Sequence, residues 1–133
     1  MFKNLVKMNL LLVLCLMVIH FVVADEEQYT DRYDNLNVDE IINNRRLFEG
    51  YMKCLLNKGR CTPEGKEIKA HIIDAMHTAC KKCTPKQRKA ARQVVRYIRD
   101  NDKMQHYWND LKKLYDPDNK YKDTYEPFFA SDD

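Results

Sequence analysis

The chain has 133 residues, 23 Lys and Arg against 20 Asp and Glu, and only three glycines. That length allows one domain with a modest core and leaves no room for two. The near balance of charge, +3 overall, leaves no basic field of the kind that would bind nucleic acid or hold an anionic membrane surface.

The first 24 residues read as an export signal. Lys3 and Lys7 charge the start, an apolar run extends from Leu10 to Val23, and Val22-Val23-Ala24 offers modest side chains at a cleavage position. The pattern predicts a signal peptide over residues 1–24, cut before Asp25, and a secreted extracellular domain over residues 25–133. A stable membrane anchor is not expected, because the apolar run contains His20 and is shorter than the roughly 20 residues that span a bilayer. Cleavage removes Cys15 and both leader lysines, which leaves four cysteines and 21 basic residues against 20 acidic.

The rest of the chain predicts helices throughout. Apolar residues recur at three- and four-residue spacing with no sustained alternation, so the fold class is all-α. A short helix is expected from Asn37 to Asn43, with Asn37 as N-cap, Glu40 as its capping-box partner, and Val38, Ile41 and Ile42 inward. The next helix carries Leu47, Tyr51, Cys54 and Leu55 on one stripe and is expected to stop at Gly59, whose freedom at positive φ suits a C-terminal cap. Gly50 lies inside that helix, where it costs roughly 1 kcal/mol relative to alanine and marks either a close backbone approach or a looser helix.

Thr62-Pro63 opens a third helix with Ile68, Ile72, Ala75, Met76 and Ala79 inward. Thr84-Pro85-Lys86-Gln87 repeats the signal with a capping box, and there Ala91, Val94, Val95 and Ile98 face in. The basic residues from Lys86 to Arg92 read as a solvated face. Asn101 or Asp102 caps a fifth helix carrying Met104, Trp108, Leu111 and Tyr115, which ends before Asp116-Pro117. A terminal segment from Lys120 to Phe129 docks Tyr121, Tyr125 and Phe128 or Phe129, and residues 130–133 are expected to be loose.

Four cysteines allow three pairings, and the helix map favours Cys54 with Cys61 and Cys80 with Cys83, each closing a small loop at a helix junction. Small loops of this kind contribute about 2 to 3 kcal/mol each. In an oxidising compartment disulfides outweigh a zinc site, and the Cys80-Lys81-Lys82-Cys83 spacing lacks the βαβ setting of a thioredoxin-like redox motif. No metal or cofactor is expected. His71, His77 and His106 fall on separate helical positions. No nucleophile elbow, zincin motif or phosphate-cradling glycine loop occurs, and Asp39, Glu40 and Asp74 read as solvated or capping residues, so catalysis is not expected.

Several blocks together resemble the insect chemosensory proteins, also called OS-D-like proteins. They are Tyr29-Thr30-Asp31-Arg32-Tyr33-Asp34-Asn35, Tyr51-Met52-Lys53-Cys54, Cys61-Thr62-Pro63-Glu64-Gly65-Lys66, Asp74-Ala75, Cys80-x2-Cys83 and Tyr115-Asp116-Pro117-Asp118. The resemblance covers essentially the whole chain after the leader. It implies a compact, monomeric six-helix domain with sequential disulfides around an internal hydrophobic channel. The implied function is a secreted carrier of long-chain fatty acids, alcohols, esters or semiochemicals. The alternative is a developmental, wound or immune-responsive factor acting through protein partners. Ile72-Ile73 stands where members often carry Leu-Pro, so no proline kink is expected there.

Carried over by position, the resemblance makes Tyr33, Tyr51, Trp108 and Tyr115 the aromatic gate and wall groups. Ile41, Ile42, Leu47, Ile68, Ile72, Met76, Val94, Val95 and Ile98 are the lining candidates. The same stripes are needed for plain core packing, so each residue carries both readings.

Overall fold

The computed structural model of the protein describes residues 2–22 and 27–132. Among them seven α-helices form and no strand does, as the periodicity predicts. α1 spans Phe2–Val22, α2 Val38–Asn43, α3 Arg45–Leu55, α4 Pro63–Thr78, α5 Pro85–Asp100, α6 Gln105–Tyr115 and α7 Lys122–Ala130. α1 covers the segment that reads as an export signal, and its large apolar side chains from Leu5 to Met17 are exposed. No described helix is long and apolar enough to cross a membrane. The expected cut before Asp25 lies outside the described residues.

Helix starts follow local chemistry. Oδ1 of Asn37 accepts from the Glu40 N–H at 3.1 Å, and Oγ1 of Thr62 accepts from the Gly65 N–H at 3.1 Å. At Thr84 the capping box closes in both directions, with Oγ1 accepting from Gln87 N–H and the Gln87 side chain accepting from Thr84 N–H. Each cap satisfies an otherwise orphaned N–H and stabilises its helix by about 1 kcal/mol. Asn101 departs from expectation. Its side chain accepts from Lys103 N–H inside a turn, and α6 starts later, at Gln105, without a side-chain cap.

Helix ends differ more. α3 ends at Leu55, and Asn57, not Gly59, takes the left-handed conformation at φ 61. Asparagine tolerates that region, so the turn does not need a glycine. Gly59 answers a different requirement, since a Cβ there would lie 3.0 Å from Cβ of Lys53. α4 runs unbroken from Pro63 to Thr78, consistent with the missing proline, and leaves through Ala79 and Cys80 at φ 54 and 62. The predicted disulfides are both present, Cys54 to Cys61 and Cys80 to Cys83, with Cα atoms 4.9 and 5.1 Å apart. The second holds the left-handed corner between α4 and α5.

The helices close into a ring. α2 packs on α3, α3 on α4, α4 on α7, α7 on α5 and α5 on α2, while α6 packs on α5. Ile98 is fully buried at its centre, and Phe48, Met52, Cys54 and Tyr125 are nearly so. On α3 the core face is therefore Phe48 and Met52, one position off the expected stripe of Leu47 and Tyr51. The two stripes are adjacent, and the one whose phenylalanine meets the Tyr97 and Tyr107 rings faces in.

Two irregular segments clamp this ring. Residues 27–36 lie across α4 and the start of α5: the Tyr29 hydroxyl donates to Asp74, its ring stacks on His71, and Asp34 accepts from Thr84 Oγ1 and Gln87 Nε2. The Tyr-Asp-Pro corner after α6 is held by Asp116, whose carboxylate accepts from the Lys120 and Tyr121 N–H groups. The chain end is tied as well. Arg96 donates to the carbonyls of Phe129 and Ser131 and pairs with Asp132 at 2.8 Å, so the loose tail expected over residues 130–133 is not found at Ser131 and Asp132.

Candidate functional site

The interior of the ring is packed with flexible and aromatic side chains. Met52, Met76 and Met104 are buried there with Phe48, Trp108 and Tyr125. Methionine is unbranched and polarizable, so a wall that carries three of them can repack around guests of different shape. Trp108 meets Tyr125 and Phe129 edge to face, with centroids 5.8 and 5.7 Å away, which fixes the α6 to α7 side of the wall.

The residues singled out from the sequence divide into three groups. Ile41, Met76, Val95, Ile98 and Trp108 are buried in the core cluster, and Ile72, Val94, Tyr51 and Tyr115 pack against it from its edge. Ile42 and Tyr33 are half-buried and lie outside that cluster, with the Arg32 guanidinium 5.7 Å from the Tyr33 ring. Leu47 and Ile68 are 36% and 40% exposed, so neither lies in the interior where it was expected. On α3 the neighbouring face, Phe48 and Met52, took the core, whereas on α4 the expected stripe of Ile72, Ala75, Met76 and Ala79 faces in and only Ile68 falls outside it.

Leu47 instead joins Tyr51 on an open groove of about 370 Å3, with Asn44, Arg46, Gly50, Cys54, Arg60 and Thr62. Gly50 meets nothing within 4 Å of where a Cβ would stand, so the close backbone approach considered for it is not present. Tyr51 borders both the groove and the core cluster, which puts it at the boundary between surface and interior. Tyr115 seals the other flank of α3, its hydroxyl donating to the Leu55 carbonyl at 2.5 Å.

Four tyrosines hold their protons more tightly than a free phenol. Burial raises the pKa of Tyr115, and burial followed by Glu49 raises that of Tyr107. For Tyr125 burial comes first, then the charges of Asp116 and Glu126. For Tyr29 burial is joined by the hydrogen bond to Asp74. All four are neutral hydrogen-bond donors at any pH near neutrality.

The basic face of α5 is not simply solvated. Arg92 is 4% exposed, donates through Nε to the Phe128 carbonyl at 2.8 Å and reaches Ser131 Oγ at 2.8 Å. Arg88 donates to the Ala79 and Cys80 carbonyls. These arginines donate to carbonyls at helix ends, beside the N–H groups of Ser131 and Cys83 that also reach the Phe128 and Cys80 oxygens. Their spacing, 88, 92, 96 and 99, places them along one side of α5 and was the signal available in the sequence. His71, His77 and His106 each lie against a tyrosine ring, Tyr29, Tyr121 and Tyr107 respectively. Among the described residues no group of three or more His, Cys, Asp or Glu side chains converges to hold a metal ion.

Comparison with known proteins agrees with this architecture. The profile of the insect pheromone-binding family, A10/OS-D, matches residues 29–123. The chain is 46% identical over 115 residues to ejaculatory bulb-specific protein 3 of Drosophila melanogaster, covering 86% of this chain and 90% of that protein. It is 44% identical over 100 residues to allergen Tha p 1 of Thaumetopoea pityocampa, covering 75% and 78%. Among solved structures, a chemosensory protein in complex with bromo-dodecanol superposes with a TM-score of 0.67 at 43% identity, over 75% of this chain and 98% of that one. Antennal chemosensory protein A6 from the moth Mamestra brassicae gives a TM-score of 0.61 at 42% identity, over 77% and 93%. With the four-cysteine helical ring, these matches establish that the chain belongs to the insect pheromone-binding family, A10/OS-D.

Proposed function

We propose that the protein is a secreted monomeric carrier that takes small hydrophobic ligands, such as long-chain alcohols, esters and fatty acids, into the interior of its helical ring. The observation that carries the reading is the 43% identity, over nearly the whole of the other chain, to a chemosensory protein whose structure holds bromo-dodecanol. The methionine-rich interior supports it physically. An alkyl chain entering that space gains about 0.8 kcal/mol per buried methylene. Ten methylenes therefore supply roughly the 8 kcal/mol that corresponds to micromolar affinity, less the cost of repacking the wall and ordering the ligand.

Tyr51, Leu47 and Gly50 form the mouth in this reading, because the groove they line is the place where exposed apolar surface adjoins the core. Guests reach the interior by displacement of the Tyr51 ring and rearrangement of Met52 and Met76. Each added methylene strengthens binding by about fourfold until the interior is filled. No catalytic step is proposed. The reading is tested by displacement of an apolar fluorescent probe from the oxidised, leader-free protein by decanol, dodecanol and hexadecanol. Affinity rising with chain length to a plateau is expected. A probe that does not bind, or that alcohols cannot displace, overturns the reading.

A further inference from the structure

The hydroxyl of Tyr125 is the unresolved group in this interior. The side chain is 1% exposed, and its oxygen has no hydrogen-bond partner among the described residues. A buried hydroxyl without a partner is a net cost to folding, and native cores seldom retain one without a reason. The nearby carboxylates are held by other donors. Asp116 accepts from two backbone N–H groups, and Glu126 is held by Arg99 at 2.6 and 3.0 Å. On its apolar sides Tyr125 meets the rings of Trp108 and Phe129. The phenol therefore sits inside the aromatic wall as a donor with nothing to donate to.

We propose that Tyr125 is the head-group anchor of the carrier, its hydroxyl donating to the oxygen of a neutral alcohol or ester whose hydrocarbon chain fills the ring. This rests on the carrier reading and adds to it a head-group preference. A carboxylate is disfavoured at the same place. Burial penalises its charge, and Asp116 and Glu126 act on Tyr125 as negative charges that Arg99 only partly offsets. The phenol is itself kept neutral by the same surroundings, so it remains a donor throughout the physiological range.

The test compares four ligands built on a ten-carbon chain, decanol, its acetate ester, decane and decanoate, on the oxidised leader-free protein and on Tyr125→Phe. Probe displacement gives affinities, and thermal melting of the free proteins gives a second readout. The wild type is expected to prefer the alcohol and the ester over decane by about three- to tenfold, the range for one neutral hydrogen bond, and to bind decanoate more weakly than decanol. Tyr125→Phe loses that preference, keeps its affinity for decane, and melts no lower than the wild type because the orphaned hydroxyl is gone. An unchanged preference in Tyr125→Phe, or tighter binding of decanoate than decanol by the wild type, overturns the proposal while leaving the carrier reading standing. A lower melting point for Tyr125→Phe with unchanged preference assigns the hydroxyl a structural partner and overturns it too. If none of the four binds the wild type, both readings fall. Should Tyr125→Phe not fold, the wild-type order decides alone, and no preference for decanol over decane and decanoate overturns the proposal.

Discussion

Arg92 Nε donates to the Phe128 carbonyl at 2.8 Å, while the guanidinium lies over the Phe128 ring, 4.2 Å from its centroid. One side chain thus joins α5 to the C-terminal turn of α7 by a charge-assisted hydrogen bond and a cation–π contact. α7 in turn packs on α4, so this bond helps close the ring around the interior.

Replacing Arg92 by alanine is expected to destabilise the fold by about 2 to 4 kcal/mol, through loss of its charge-assisted bonds to the Phe128 carbonyl and the Ser131 hydroxyl. Lysine restores little, because a point charge cannot reproduce the planar fork. Urea unfolding followed by circular dichroism measures both, and a midpoint unchanged in Arg92→Ala would contradict the assignment.

Gly50→Ala is expected to stabilise the fold by up to about 1 kcal/mol, because glycine weakens a helix interior and a methyl group there meets nothing within 4 Å. The same denaturation experiment reads it. Destabilisation would mean that α3 needs the freedom of glycine in some state other than the one described.

Leu47 and Ile98 separate mouth from core. Ile98→Ala is expected to cost about 2 to 5 kcal/mol, as truncation of a fully buried side chain does. Leu47→Ala changes stability by no more than about 0.5 kcal/mol, typical of an exposed position, yet slows ligand association in stopped-flow mixing. Equal stability losses in the two variants would return Leu47 to the interior.

Alkaline pH is expected to unfold the protein in a way traceable to Tyr29, Tyr107, Tyr115 and Tyr125. Their pKa values are raised in the fold, chiefly by burial. The unfolded chain releases those protons near pH 10 whereas the native state keeps them, so the stability they contribute is full below about pH 10 and is lost as pH rises above it. Phenolate absorbance of these four groups should therefore appear together with loss of helical circular dichroism. Complete ionisation of all tyrosines with the helices intact would contradict their burial.

Signals confined to a few residues were legible in the sequence. Thr62 with Pro63, Thr84 with Gln87, and the two disulfides all form as their spacing indicates, because caps and small loops depend on neighbours within one turn. Choices between adjacent faces were not legible. Leu47 and Phe48 are both apolar, and only the rings that α5 and α6 bring up, Tyr97 and Tyr107, go with Phe48 turning inward. The long-range roles of Arg92 and Tyr125 were equally hidden, since each depends on what α5, α6 and α7 bring together. Gly59 shows the same limit, for it does not take the left-handed conformation expected of a C-cap, and what crowds it is the Lys53 side chain six residues earlier.

Native mass spectrometry of the oxidised, leader-free protein with alcohols from decanol to octadecanol, checked by the fluorescence of Trp108, tests the carrier reading most directly. Saturable complexes that strengthen with chain length, together with a change in Trp108 emission, are the predicted result. A correctly disulfide-bonded, helical protein that forms no complex with any of them would contradict it.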